Sequence, residues 1–159
     1  MFNLFKKKKE TRSILIPDEK CAVVSSTVDG LPAVIVVNTA LRAFKDKDLF
    51  GWTCSLIMDY ENLADHGMPT SEESKLVIDY LEGLSKQIIG DPVHPNALFL
   101  ARVSNNGTCH ILWQINDPKP VDELLNKIIN DGTYPRGFDY RIEYDETWKR
   151  VSWFLQEFK

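Results

Sequence analysis

The sequence predicts an α+β domain in which a ferredoxin-like βαββαβ unit over residues 51–145 follows a β-hairpin. Two observations carry this prediction. Segments with strand and helix periodicity follow one another from residue 51 in the order strand, helix, strand, strand, helix, strand. Asp29-Gly30 and Asn106-Gly107 each separate two strand-like segments, as hairpin turns do. We therefore expect about six strands, two main helices and a short C-terminal helix.

The predicted N-terminal hairpin joins residues 20–27 to residues 32–38, which are both rich in β-branched side chains. Because the segment 32–38 is apolar on both faces, we expect it to be an inner strand. The hairpin is expected to extend the sheet beside the strand at 51–60.

Thr70 and Glu73 predict the start of the first main helix as a capping box. The threonine side chain is expected to accept from the backbone N–H of Glu73, and the glutamate carboxylate to accept from the backbone N–H of Thr70. Apolar residues at helical spacing follow, and Gly90 marks the end.

The remaining elements are a second helix, a strand and a terminal helix. Pro120 and Gly132 bound a helix over about 121–130. Residues 138–145 alternate between aromatic or aliphatic and charged side chains, which predicts a half-exposed strand near an edge. The spacing of Trp148, Val151, Leu155 and Phe158 predicts the terminal helix.

The turn at Asn106-Gly107 sets the register of the central hairpin, with Arg102 opposite Ile111 and Leu100 opposite Trp113. Both faces of this hairpin are then largely apolar. One carries Leu98, Leu100, Arg102, Cys109, Ile111, Trp113 and Ile115, and the other Phe99, Ala101, Val103, His110, Leu112 and Gln114. Two helices cover one face, so the other needs the terminal segment, a second copy of the chain in a homodimer, or another protein partner.

The charge is unevenly distributed. Residues 1–12 hold five basic residues and one acid, or +4, so residues 13–159 hold 14 basic and 22 acidic residues, or −8. We expect a disordered basic tail over 1–13 and a single domain over 14–159. An acidic domain argues against DNA binding and makes RNA an unfavourable partner.

The N-terminal tip and the cysteines bear on location. Apolar residues precede the lysines of the tip, the reverse of a secretory signal, and this arrangement predicts at most weak contact with an anionic membrane surface. No apolar run is long enough to span a bilayer. Cys21, Cys54 and Cys109 form no Cys-x-x-Cys pair and are odd in number, which favours a reducing, cytoplasmic location.

The sequence contains no recognisable catalytic constellation, phosphate-binding loop or dinucleotide-binding motif, so no cofactor is expected. His66, His94 and His110 lack the spacing of metal ligands, and no metal site is expected. They and Arg102 are the candidate surface or pocket residues. Arg102 stands among apolar neighbours, where it either pairs with a buried acid or presents its guanidinium to an anion.

These observations favour a non-enzymatic interaction or regulatory module in the cytoplasm. The alternative is a small hydrolase-type enzyme whose polar site is assembled from loops at 61–70, 91–96 and 131–137. A deep pocket that gathers His66 or His94 with two carboxylates would favour the enzyme.

Three stretches together resemble a bacterial family catalogued as domain of unknown function 695. They are Gly67-Met68-Pro69-Thr70-Ser71-Glu72-Glu73, the strand from Ala97 to Arg102 with its Asn106-Gly107 turn, and the segment from Trp148 to Leu155. The resemblance covers about residues 20–158 and implies no established activity. Some relatives look like they are joined to a domain similar to the regulator of ribonuclease activity, so the resemblance implies regulation of RNA turnover as a further alternative.

Overall fold

The computed structural model of the protein describes residues 14–156. The predicted tail over 1–13 and the position of Phe158 lie outside this range. The strands are β1 (Cys21–Val28), β2 (Leu31–Asn38), β3 (Trp52–Asp59), β4 (Ala97–Asn105), β5 (Thr108–Ile115) and β6 (Phe138–Tyr144). The helices are α1 (Ser71–Ile89), α2 (Pro118–Asp131) and the short α3 (Ser152–Leu155), and 3-10 turns occupy Thr39–Ala43, Lys47–Phe50, Asp65–Gly67 and Lys149–Val151. The predicted α+β content is confirmed.

The six strands form one antiparallel sheet in the order β1-β2-β4-β5-β3-β6. β2 lies between β1 and β4, which confirms the inner position that its two apolar faces predict. The expected position of the hairpin beside β3 is wrong. Because β5 and β6 occupy both edges of β3, the hairpin extends the sheet at the free edge of β4 instead.

A β-bulge between Phe99 and Ala101 changes the register of the central hairpin. The predicted pairing of Arg102 with Ile111 is confirmed, but Phe99 rather than Leu100 lies opposite Trp113. The extra residue places Phe99 and Arg102 on the same side of the sheet. Leu98 and Leu100 consequently pack in the hydrophobic cluster of the opposite face, so their predicted facing is wrong.

The first face of the sheet packs against α1 and α2. Its core includes Met58, Val77, Leu81, Leu84, Phe99, Ile111, Trp113, Val121 and Leu125. The helical apolar spacing of α1 and α2 places these side chains on the sheet. Among residues 14–156, two long helices pack on this face, and β1 and the outer part of β2 extend beyond them.

The opposite face is covered by the chain itself. The 3-10 turns between β2 and β3 and the segment after β6 supply Leu41, Phe44, Leu49, Phe50, Trp148 and Val151 to a second cluster with Ile35, Leu98, Leu100 and Leu112. The indole Nε1–H of buried Trp148 donates to the carbonyls of Lys47 and Phe50 at 3.0 and 2.9 Å. The apolar character of this face therefore does not require a second copy or another protein.

Within residues 14–156, no helix has both the length and the apolar composition needed to cross a membrane.

Candidate functional site

A groove with a volume of about 400 Å³ opens on the helix-bearing face, between α1 and the β1–β2 hairpin. Its floor contains Val36, Phe99 and Ile111, and Leu81 and Ile89 line it from α1. The groove exists because the sheet continues past the edge of α1 onto β2 and β1, where no helix of the described chain covers it. Its volume lies within the range of small-molecule binding sites.

Arg102 lies in this groove on β4 and is partly buried. Because of the β-bulge, it shares the helix-bearing side with Phe99. Its guanidinium forms no hydrogen bond or ion pair with any residue of 14–156. The structure thus pairs Arg102 with no acid among residues 14–156, and its interpretation as an anion-binding residue stays a prediction.

The other arginines of residues 14–156 each have a partner. Arg136 pairs with Glu73, and Arg42 donates to two backbone carbonyls near the end of α3. Arg141 and Arg150 both pair with Glu143. Arg102 is thus the exception among the five arginines of the described residues.

Four further polar residues line the groove near Arg102. Lys86 and Glu82 lie on the exposed part of α1, and Glu19 lies on the segment before β1. Ser85 lines the groove and accepts a hydrogen bond from the indole Nε1–H of Trp113 at 2.8 Å. The lining therefore combines an apolar floor with two basic and two acidic side chains.

β1 bounds the groove and is also one edge of the sheet. It is eight residues long and contains no charged residue, proline or glycine. Val23, its third residue, is 70% exposed. The opposite edge strand, β6, differs because it carries Asp139, Arg141 and Glu143.

The structure does not bring the three histidines together. His66 and His94 are exposed in separate loops, and His66 has a positive φ of 60°. His110 lies on β5, where its Nε2 forms a 2.6 Å hydrogen bond with Ser55 Oγ. Burial lowers the pKa of His110. None of the three lines the groove, and residues 14–156 contain no group of three or more His, Cys, Asp and Glu side chains that could hold a metal ion.

A polar cluster that no pattern in the sequence indicates surrounds Glu73. The threonine half of the predicted capping box is confirmed, since Glu73 N donates to Thr70 Oγ1 at 3.2 Å. The other half is wrong, because Thr70 N donates to Asn62 O. The Glu73 carboxylate instead accepts from the backbone of Glu61, the amide of Asn62 and the guanidinium of Arg136.

This cluster joins two of the three loops proposed for a hydrolase site, 61–70 and 131–137. The third, 91–96, lies elsewhere, since Asn96 bonds to the end of α1 and to residues 116 and 117. The buried Glu73 carboxylate accepts from four donors, which marks it as an architectural group rather than a base open to substrate. No spacing rule connects Glu73 to a residue as distant in sequence as Arg136.

Comparison with curated proteins and with solved structures finds no match. A family model does match residues 20–156, which is most of the chain and contains β1 and every lining residue of the groove except Glu19. The chain therefore belongs to the family described as a family of unknown function, DUF695.

Proposed function

We propose that the protein is a non-enzymatic interaction module that self-associates through the outer edge of β1, which no strand of residues 14–156 covers. Two copies would pair their β1 strands antiparallel and extend both sheets into one. The observation that carries this proposal is the uncharged eight-residue edge strand with Val23 exposed. Long, uncharged edges present unpaired N–H and C=O groups that favour pairing with another strand.

The two edges of the sheet differ in their protection. β6 carries three charged side chains over seven residues, and inserted charges are a common way to prevent edge pairing. β1 carries no charged side chain over its eight residues. The contrast within one sheet supports β1 as the edge through which the protein associates.

Backbone geometry also supports self-pairing. The two-residue turn makes Val28 and Leu31 a hydrogen-bonded pair, and such pairs alternate along an antiparallel ladder. The odd-numbered residues, including Val23 and Ser25, therefore direct their N–H and C=O groups away from β2. A two-fold axis perpendicular to the sheet can relate the β1 strands of two copies. Each odd-numbered residue then lies opposite an odd-numbered residue of the second copy, and the outward N–H and C=O groups of the two strands can form hydrogen bonds.

The charge distribution favours a second copy at this edge. Residues 13–159 carry a net charge of −8, so two copies repel each other over most of their surfaces. The neutral β1 edge lets them approach without placing like charges opposite each other. The same acidic character, with Glu19 and Glu82 at the groove, gives no support to the alternative of RNA regulation.

Light scattering after size exclusion, over a range of concentrations up to millimolar, tests the proposal. The mass of the wild type is expected to rise from that of one chain toward that of two. Val23→Lys adds a positive charge to each of the two paired β1 strands. It should shift the transition from monomer to dimer to at least about tenfold higher concentration. Val93→Lys is the matched control, since Val93 is 73% exposed in a loop, and it should behave as the wild type.

Amide hydrogen exchange of the wild type provides a test that needs no variant. Exchange at Val23 and Ser25 should slow as the concentration rises, because pairing protects their outward N–H groups. A wild type that stays monomeric throughout, or that associates without protection of these amides, would overturn the proposal. Association that is equal in both lysine variants would also overturn it.

We also infer the fold unit, its extent and its location. The strand order β4-β5-β3-β6, with α1 and α2 on one face, supports a ferredoxin-like unit within a single domain over 14–159. Cys21, Cys54 and Cys109 are all free thiols, which supports a reducing, cytoplasmic location. When the reduced protein is transferred to an oxidising buffer, we expect that no intramolecular disulfide forms.

A further inference from the structure

The groove beneath α1 contains a guanidinium that the described chain leaves unbonded. We propose that this groove binds a small organic acid, with one carboxylate paired to Arg102 and an apolar body on the groove floor. The inference concerns a ligand site and does not depend on pairing of β1.

Arg102 provides the chemistry that recognises a carboxylate. A guanidinium is always charged in proteins and offers five N–H donors in a planar fork that matches two carboxylate oxygens. This protein forms that arrangement elsewhere, where Arg136 holds Glu73 through two 2.8 Å hydrogen bonds. Arg102 has the same donors, partly buried in a groove, and no acceptor among residues 14–156.

The lining around Arg102 suits an apolar body attached to that carboxylate. Val36, Phe99 and Ile111 form the floor, and Leu81 and Ile89 extend it along α1. Small-molecule sites combine apolar walls with a few polar groups that fix orientation, and this groove follows that composition. Its volume of about 400 Å³ lies toward the small end of such sites.

The charges at the groove disfavour a ligand with two negative charges. Lys86 lies on the same wall as Glu82, and Glu19 lies on the segment before β1. Two acidic side chains beside two basic ones leave no excess positive charge to hold a phosphate dianion or a nucleic-acid backbone. The single negative charge of a carboxylate bound at Arg102 is balanced by the positive charge of the guanidinium.

The probe pair 4-phenylbutyrate and 4-phenylbutan-1-ol separates the carboxylate from the apolar body. Titration followed by ¹H–¹⁵N NMR should shift the indole N–H signal of Trp113, because its partner Ser85 lines the groove. The alcohol should bind at least about tenfold more weakly than the acid, since it lacks the charge-assisted hydrogen bonds. Inorganic phosphate should leave the Trp113 signal unchanged.

Arg102→Gln is expected to weaken binding of 4-phenylbutyrate at least about tenfold. Because Arg102 has no partner within 14–156, this change breaks no bond among those residues, and an unchanged melting temperature would establish that the variant is folded. Arg141→Gln is the matched control on exposed β6 and should bind as the wild type.

The ligand titration separates this inference from the proposed self-association, because it is read at Trp113 on β5, whereas pairing is read at the amides of Val23 and Ser25 on β1. The Trp113 shift is expected whether or not the protein dimerises. Absence of a Trp113 shift at millimolar acid would overturn the ligand site, and so would equal binding of the alcohol or full binding by Arg102→Gln. A stronger response to phosphate than to the organic acid would also overturn it.

Discussion

Glu73 and Arg136 form a two-point ion pair in which Arg136 Nε and Nη2 each donate to a different carboxylate oxygen at 2.8 Å. The Glu73 side chain is 1% exposed. The same carboxylate accepts from the backbone N–H of Glu61 and the amide of Asn62. The pair therefore fastens the first turn of α1 to the loop after β3 and to the loop before β6.

Glu73→Gln is expected to lower the melting temperature by at least about 5 °C, because it removes the charge that Arg136 and the loop donors share. Glu72→Gln is the matched control at the neighbouring, exposed position and should change it by less than about 2 °C. Thermal unfolding by circular dichroism at neutral pH measures both. Equal effects of the two variants would contradict an architectural role for the pair.

Acid should weaken the fold through the same carboxylate. The hydrogen bonds from Arg136 are the main cause that lowers the pKa of Glu73 to about 2. An unfolded glutamate has a pKa of about 4.3, so the stabilisation is complete above that pH and is lost as the pH falls toward 2. Urea unfolding at a series of acidic pH values should show this loss in the wild type and a flatter dependence in Glu73→Gln.

His110 should add a second pH dependence, in a different range. Burial lowers the pKa of His110 in the folded state, so the unfolded chain binds the proton more readily. The free energy of unfolding should therefore fall as the pH drops below about 6.5. His110→Asn should remove this slope in urea unfolding, whereas His94→Asn, at an exposed loop position, should retain it.

Trp148 should be the main anchor of the segment that covers the second face. Trp148→Ala is expected to cost about 3–5 kcal/mol of unfolding free energy, because it removes a fully buried indole. Trp148→Phe keeps much of the ring and should cost about 1–3 kcal/mol, since the carbonyls of Lys47 and Phe50 lose their donor. Urea unfolding measures both, and a wild-type value for Trp148→Ala would contradict the anchoring role.

Gly67 and Gly30 provide a matched test of a close backbone contact. Both have a positive φ, 77° and 81°, so Gly67→Ala and Gly30→Ala each introduce strain of about 1 kcal/mol. Only at Gly67 would the added Cβ meet backbone, at 3.0 Å from Asn106 Cα, whereas nothing lies within 4 Å at Gly30. Gly67→Ala should therefore lower the melting temperature clearly more than Gly30→Ala, and equal effects would contradict this contact.

Local patterns in the sequence are sufficient to predict the main helices and strands. Helical spacing after Thr70 predicts α1, and Asn106-Gly107 predicts the turn between β4 and β5, because both depend on neighbouring residues alone. The bulge next to Leu100 was not predictable in this way. A strand with apolar residues on both faces has no alternation that fixes which side chain faces which way.

The sequence by itself determined the α+β content, the membership in the DUF695 family and the candidacy of Arg102. Tertiary structure decided that Arg102 has no partner among residues 14–156, that Glu73 holds Arg136, and that β1 is an uncharged edge of the described sheet. The physical reason is the distance along the chain over which each interaction acts. Periodicity and turn chemistry act over a few residues, whereas the partner of a charged side chain and the neighbour of a strand depend on how distant segments pack.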